Sequence, residues 1–283
     1  MSLRTDLAVE ATAFVKTRKA LLQQTKRIKN IEIVQIEIKN KVDEKILNRP
    51  KGTYITISTQ QLLAPEKRED VHYVLVRELK SFVRKKKSVL IVGLGNKNIC
   101  SDSIGPRVVE KIFATRHIKK ELVNKLGFAD LPSVCTIAPG VLGQTGMETA
   151  EIVKALAEKT KPNLIVVVDA LAAGLISRLG TTIQLTNAGI APGSGVSNRR
   201  AELSQKVLQV PVLAVGMPTV VDLKSIMERD LNSKTLLKCK QNMMVTPKNV
   251  DEIVNNAGNL IANALNCAIF PMFSQQELEV LSS

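Results

Sequence analysis

Apolar residues along this chain change their period several times, and the changes mark its elements. Over residues 4–27, Leu7, Ala8, Ala11, Val15 and Leu22 recur at near-helical spacing with basic residues between them, which predicts a helix. From Lys29 to Lys39 the period is two, with Ile31 and Ile33 followed by Ile36 and Ile38. The phase slips between Ile33 and Ile36, as a β-bulge would make it. Asn48 to Gly52 reads as a turn and Thr53 to Ser58 as a second, β-branched strand. These two strands are expected to pair as an antiparallel ribbon. A helix follows from Glu66, its stripe at Val71, Val74, Leu75, Leu79, Phe82 and Val83. Lys85 to Lys87 suit its carboxyl end.

From Ser88 the pattern becomes an alternation of strands and helices, which predicts helices packed around a mostly parallel sheet. Val89 to Gly93 is a short buried strand, and a polar loop then runs through Asn96 to Asp102 before Gly105 and Pro106 open a helix. Further strands are expected at Ser133 to Ala138, Leu164 to Val168, Thr181 to Leu185 and Val212 to Val215. A helix is expected over residues 147–159. The last helix is the best marked, with Thr246 as its cap, Pro247 in its first position, and Val250 to Leu265 carrying its apolar face. No repeat, linker or boundary divides the chain, so residues 1–283 read as a single α/β domain.

Strand–loop–helix units put loop residues at the carboxyl edge of a sheet, where α/β proteins keep their ligands. Asp102 and Asp169 each stand at or just past the end of an expected strand. If those strands are neighbours, the two carboxylates share one cleft, where one holds a proton while the other activates water. The plainer reading is that each caps a helix, Asp102 the one from Ser103 and Asp169 one from Ala170. Asp222, after the strand at 212–215, is a third candidate. Asn96, in the first loop, and Gly193, Ser194 and Gly195, in a glycine-rich loop able to bind a peptide backbone through its N–H groups, are candidates for holding substrate. The G-L-G-N-K-N run lacks the third glycine of a dinucleotide site. Cys100 has no base beside it.

Composition narrows the choice. Four scattered cysteines and two histidines supply neither a structural zinc site nor Ser–His chemistry, and the expectation is a protein with no cofactor and no bound metal. The net charge of +14 invites a nucleic-acid reading. Residues 1–87 hold 20 basic and 10 acidic side chains, however, spread through strand and helix patterns, and aromatics are only 3%. A solvated basic face is the simpler reading. No signal peptide opens the chain, and its longest apolar run is too short to span a bilayer, so a cytoplasmic protein is expected.

Several segments together resemble the germination protease family of spore-forming bacteria. They are RTDLAVE at 4–10, VGLGN at 92–96, SDSIGP at 101–106, TRHI at 115–118, APGVLGQTGMET at 138–149, TKPNLIVVVDALAA at 160–173, GIAPGSGVSNRR at 189–200, VPVLAVGMPTVVD at 210–222 and NMMVTPKNVDEIV at 242–254. The resemblance implies a fold shared with hydrogenase-maturation proteases, a homotetramer, and an atypical aspartic endopeptidase whose two carboxylates fall on Asp102 and Asp169. It implies small acid-soluble spore proteins as substrates, cut in the spore core at germination, and contact with nucleic acid only through them. Only three residues precede RTDLA here, so the chain is read as a mature form without the family's pro-segment. Asn187 and Ser197 depart from the family's Asp and Gly. Two alternatives remain: a non-catalytic peptide- or nucleic-acid-binding protein on the same scaffold, and a metal-dependent maturation-type peptidase.

Overall fold

The computed structural model describes residues 5–13, 22–64, 68–118, 130–193, 200–223, 225–226 and 243–282. In chain order its elements begin with α1 (Ala8–Ala13), β1 (Leu22–Ile28), β2 (Ile31–Ile38), α2 (Lys41–Leu47), β3 (Gly52–Ser58) and α3 (Arg68–Val83). Then come β4 (Ser88–Gly93), α4 (Ile104–Val109), β5 (Ser133–Ile137), α5 (Leu142–Thr145), α6 (Thr149–Thr160) and β6 (Leu164–Ala173). The chain closes with β7 (Thr182–Thr186), α7 (Gln205–Leu208), β8 (Val212–Asp222), β9 (Met244–Val245), α8 (Val250–Ile269) and α9 (Gln275–Leu281).

Among the described residues nine strands join one sheet in the order β1-β2-β3-β7-β8-β6-β4-β5, with β9 added to β8. The half made of β8, β6, β4 and β5 is parallel, as the alternation predicts. The ribbon is not separate from it: β3 pairs antiparallel with β7, and β7 antiparallel with β8.

Strand periodicity sends successive side chains to opposite faces. Val89, Ile91, Val166, Val168, Leu213 and Val215 face one layer, where α3, α4 and α8 bury their stripes. Leu90, Val92, Ile165, Val167 and Val212 face the other, against Ala150, Val153 and Ala157 of α6. Both faces are thus covered, and each fully buried branched side chain contributes about 1.5–3 kcal/mol.

Five expectations are corrected. The helix over 4–27 is confined to α1: Leu22–Ile28 is a strand paired along its length with β2, the hairpin turning at Lys29, whose φ is 51°. Gln23 to Arg27 are exposed, so this edge strand has no apolar alternation to read, and its Lys26 and Arg27 suit an edge. Val15 lies outside the described residues. The bulge in β2 is absent. Ile31 and Ile33 pack into the main core, while Val34, Ile36 and Ile38 pack on the opposite face around Tyr54, so the phase slip records a change of covered face.

The other three concern strand and helix ends. β6 continues past Val168 to Ala173 instead of giving way to a helix, and β8 continues to Asp222 instead of ending in a loop. α8 begins at Val250, not at Pro247, because the Thr246 hydroxyl is spent on the Thr219 carbonyl (2.8 Å) and residues 247–250 form a turn. No helix among the described residues is long and apolar enough to cross a membrane.

Candidate active site

The site forms where β4 stops and β6 does not. β4 ends at Gly93, opposite Val168, and the Leu94 N–H donates to the Val168 carbonyl (2.8 Å) as the chain leaves the sheet. β6 runs on through Asp169, with Gly216 of β8 as its neighbour on the other side. A strand that ends beside one that continues leaves a crevice at the carboxyl edge. A cavity of about 370 Å³ occupies it, lined by Asp102, Asp169, Asp6, Gly193, Arg200 and Thr219 among others.

Two glycines bring the Asp102 loop into this crevice. A Cβ on Gly105 would stand 2.5 Å from the Leu94 nitrogen and 2.6 Å from the Val168 carbonyl oxygen, so only glycine lets α4 start against the end of β4. Gly95 has φ of +109°, a conformation that side chains oppose. The loop then closes on itself. The Asn96 N–H donates to Asp102 Oδ2 at 2.7 Å, and the Asp102 N–H donates to the Ile99 carbonyl at 2.9 Å. Asn96 Oδ1 accepts from the Asn98 N–H and from Gln144 Nε2, both at 3.0 Å, which ties the loop to α5. From the far side the Thr219 hydroxyl donates to the Ser101 carbonyl at 2.6 Å.

Neither carboxylate caps a helix. The cap position of α4 is Ser103, whose side chain makes no capping hydrogen bond, and the residues after Asp169 are strand. Asp169 is nearly fully buried, and its Oδ1 accepts from the Ala170 N–H at 2.9 Å. Burial first, then the negative charges of Asp102 and Asp6, push its proton affinity well above the ordinary carboxylate value; the Ala170 N–H opposes them. Asp102 is raised as well, by burial, with the Asn96 N–H holding part of the shift back. Two carboxyl groups lining one cavity resist ionising together.

Of the other residues singled out in the sequence, Gly193 lines the cavity, while Ser194, Gly195 and Ser197 lie outside the described residues. Asn96 serves the loop through both its backbone and its side chain. Asp222 is buried at the end of β8, where the Ser225 hydroxyl donates to its Oδ2 at 3.3 Å, away from the cavity lining. Asn187 is exposed and accepts from the Thr53 N–H at 2.8 Å, joining β3 to the end of β7 rather than touching either carboxylate. Cys100 is an exposed free thiol. Among the described residues no group of three or more His, Cys, Asp or Glu side chains is arranged to hold a metal ion.

Asp6, Arg200 and Thr219 are the site residues that sequence reading missed. Asp6 belongs to RTDLAVE, at the start of the helix expected over residues 4–27. Arg200 and Thr219 were legible only as members of longer quoted segments.

Fold and site define an α/β protein with an acidic crevice at the carboxyl edge of its parallel strands. Residues 5–233 match the family model described as Peptidase_A25, germination protease. The germination protease of Clostridium acetobutylicum is 40% identical over 321 residues that cover 98% of each chain. That of Clostridium tetani is 36% identical, again covering 98% of each. That of Caldanaerobacter subterraneus is 36% identical over 99% of this chain and 98% of its own. The chain belongs to the germination protease family and is a peptidase. Among solved structures, the NiFe hydrogenase maturation protease HycI of Thermococcus kodakarensis aligns with 66% of this chain and 98% of its own, at 17% identity and a TM-score of 0.36.

Proposed function

We propose that this peptidase is an endopeptidase that begins the degradation of small acid-soluble spore proteins at germination, with Asp102 and Asp169 as its catalytic pair. The observation that carries the reading is the single cavity lined by both carboxylates, one nearly fully buried and the other at the loop that closes over it.

Their surroundings suggest a division of labour. Asp169, the more strongly raised, keeps its proton and acts as the acid; Asp102, less perturbed, acts as the base. A water molecule attacks the peptide carbonyl carbon and gives a proton to Asp102. Asp169 then protonates the amide nitrogen as the C–N bond breaks. The proton left on Asp102 then passes to Asp169, which restores the starting state for the next turnover. Gly193, with Ser194 and Gly195 beyond it, holds the substrate backbone through N–H groups, and Asn96 holds the Asp102 loop in register for it.

No cofactor enters this scheme. The enzyme works as a homotetramer in the spore core, and it meets nucleic acid only through its substrate. Incubation with a small acid-soluble spore protein, followed by mass spectrometry, tests the reading. Asp102→Asn and Asp169→Asn should each fold and lose cleavage by at least the ~10²–10⁴-fold that positioned acid–base groups supply. Wild-type cutting by either variant removes that residue from the mechanism, and salt-sensitive DNA binding without proteolysis would favour a binding protein instead.

A further inference from the structure

Asp6 reaches the cavity from the opposite end of the chain, and it is bolted there. The Asp6 N–H donates to the Ala172 carbonyl at 2.8 Å, and the Ala172 N–H donates back to Asp6 Oδ2 at 2.8 Å. Gln184 of β7 repeats the arrangement from the other side: its Nε2 donates to the Asp6 carbonyl at 3.0 Å while its Oε1 accepts from the Ala8 N–H at 2.7 Å. Two residues further along β6, the Gly174 N–H donates to the buried Glu10 Oε2 at 2.7 Å, and the Arg49 guanidinium bonds the Thr5 carbonyl. Six bonds therefore serve a segment whose helix is one and a half turns long.

We propose that Asp6 is a third carboxylate of the site, a positioning residue that helps to hold the proton of the Asp102–Asp169 pair on Asp169. This rests on the reading of that pair as catalytic. Among the described residues, the charged groups lining the cavity are Asp6 from the amino-terminal segment, Asp102 from the loop after β4, Asp169 from β6 and Arg200 from the stretch before α7. β8 presents Gly216, without charge, directly opposite Asp169. The Asp6 carboxylate is held by a backbone N–H in the same cavity as Asp169, and its negative charge disfavours a second one there. Burial already favours the proton on Asp169 over Asp102, and Asp6, kept in the cavity by its fixed backbone bonds, adds its charge to that preference.

Asn at position 6 keeps an oxygen for the Ala172 N–H and removes the charge, whereas Glu keeps the charge. In Asp6→Asn the proton leaves Asp169 more easily, so the basic limb of the kcat–pH profile should fall by about one pH unit, with KM little changed. Asp6→Glu should keep the wild-type limb. A carboxyl-carbon NMR titration of Asp169, made on the same proteins without substrate, should show the same downward move in Asp6→Asn; Asp6→Ser provides a second uncharged variant should Asn not fold. An unchanged Asp169 midpoint in the uncharged variants overturns the inference and leaves the catalytic pair standing. So does an Asp6→Glu limb displaced as far as that of Asp6→Asn. Undiminished cleavage by Asp102→Asn and Asp169→Asn would instead remove the catalytic reading, and the titration would still decide whether Asp6 governs Asp169.

Discussion

Gly95 lies so close to Asp102 that a Cβ at position 95 would run into the Asp102 carbonyl oxygen and stand 3.1 Å from its Oδ1. The carboxylate is thus aimed by backbone packing rather than by a salt bridge. Gly95→Ala should lower cleavage sharply while changing stability by only about 1–3 kcal/mol, since the strain falls in a loop at the edge of the core. Cleavage rates and thermal melting on the same protein check this; full activity would show that the loop tolerates displacement.

Gly105 supports the core as well as the site. In Gly105→Ala the new methyl group must push α4 away from Leu94 and Val168. The expected cost is about 1–3 kcal/mol or more, as overpacking usually brings. Denaturant unfolding measures it, and an unchanged midpoint would mean that α4 shifts freely.

Asp169 should destabilise the fold at neutral pH. Its folded-state proton affinity is raised, so the native state binds more protons than the unfolded chain above the ordinary carboxyl range. Stability contributed by the protonated group is full below the unfolded value, about 3.9, and declines as pH rises towards the folded value. Asp169→Asn, which cannot ionise, should therefore melt higher than wild type at pH 7–8, and the gap should close as pH falls below about 4. Equal melting temperatures at pH 8 would show that Asp169 is not held protonated by its surroundings.

Cleavage should survive EDTA. No three carboxylate, imidazole or thiolate side chains among the described residues are disposed as metal ligands, and neither histidine lines the cavity. Loss of activity in chelator, restored by one particular metal, would reverse this.

Ile91 tests the layer beneath the site. It is fully buried in β4, two residues before the strand ends at Gly93. Ile91→Ala should cost about 2–5 kcal/mol. Calorimetry decides it, and a loss under 1 kcal/mol would indicate a core that collapses around the gap.

Much of this protein was legible without coordinates, because the parallel half of the sheet obeys local rules. Strands buried on both faces read as unbroken apolar runs, and the stripe of α3 repeats at helical spacing. That placed β4, β6 and β8, and with them Asp102 and Asp169. The amino-terminal region resisted for a physical reason. β1 is an exposed edge strand of Gln, Thr, Lys and Arg, residues whose local preference does not oppose a helix, and only its hydrogen bonds to β2 make it a strand. The slip in β2 carried real information but of another kind. It reported which face was covered, which depends on partners far away in the chain.

The chain's own order of residues determined the alternation of strands and helices, the buried strand ahead of Asp102, and the run of apolar residues that ends at Asp169. The tertiary structure alone decided that β4 and β6 are neighbours of unequal length, so that their carboxylates meet in one crevice. It also decided that Asp6, 163 positions before Asp169 in the sequence, lines the same cavity. Periodicity records what each residue does to its nearest turn or pleat. The proton affinity of a buried carboxyl depends on charges and N–H groups brought to it by the whole fold.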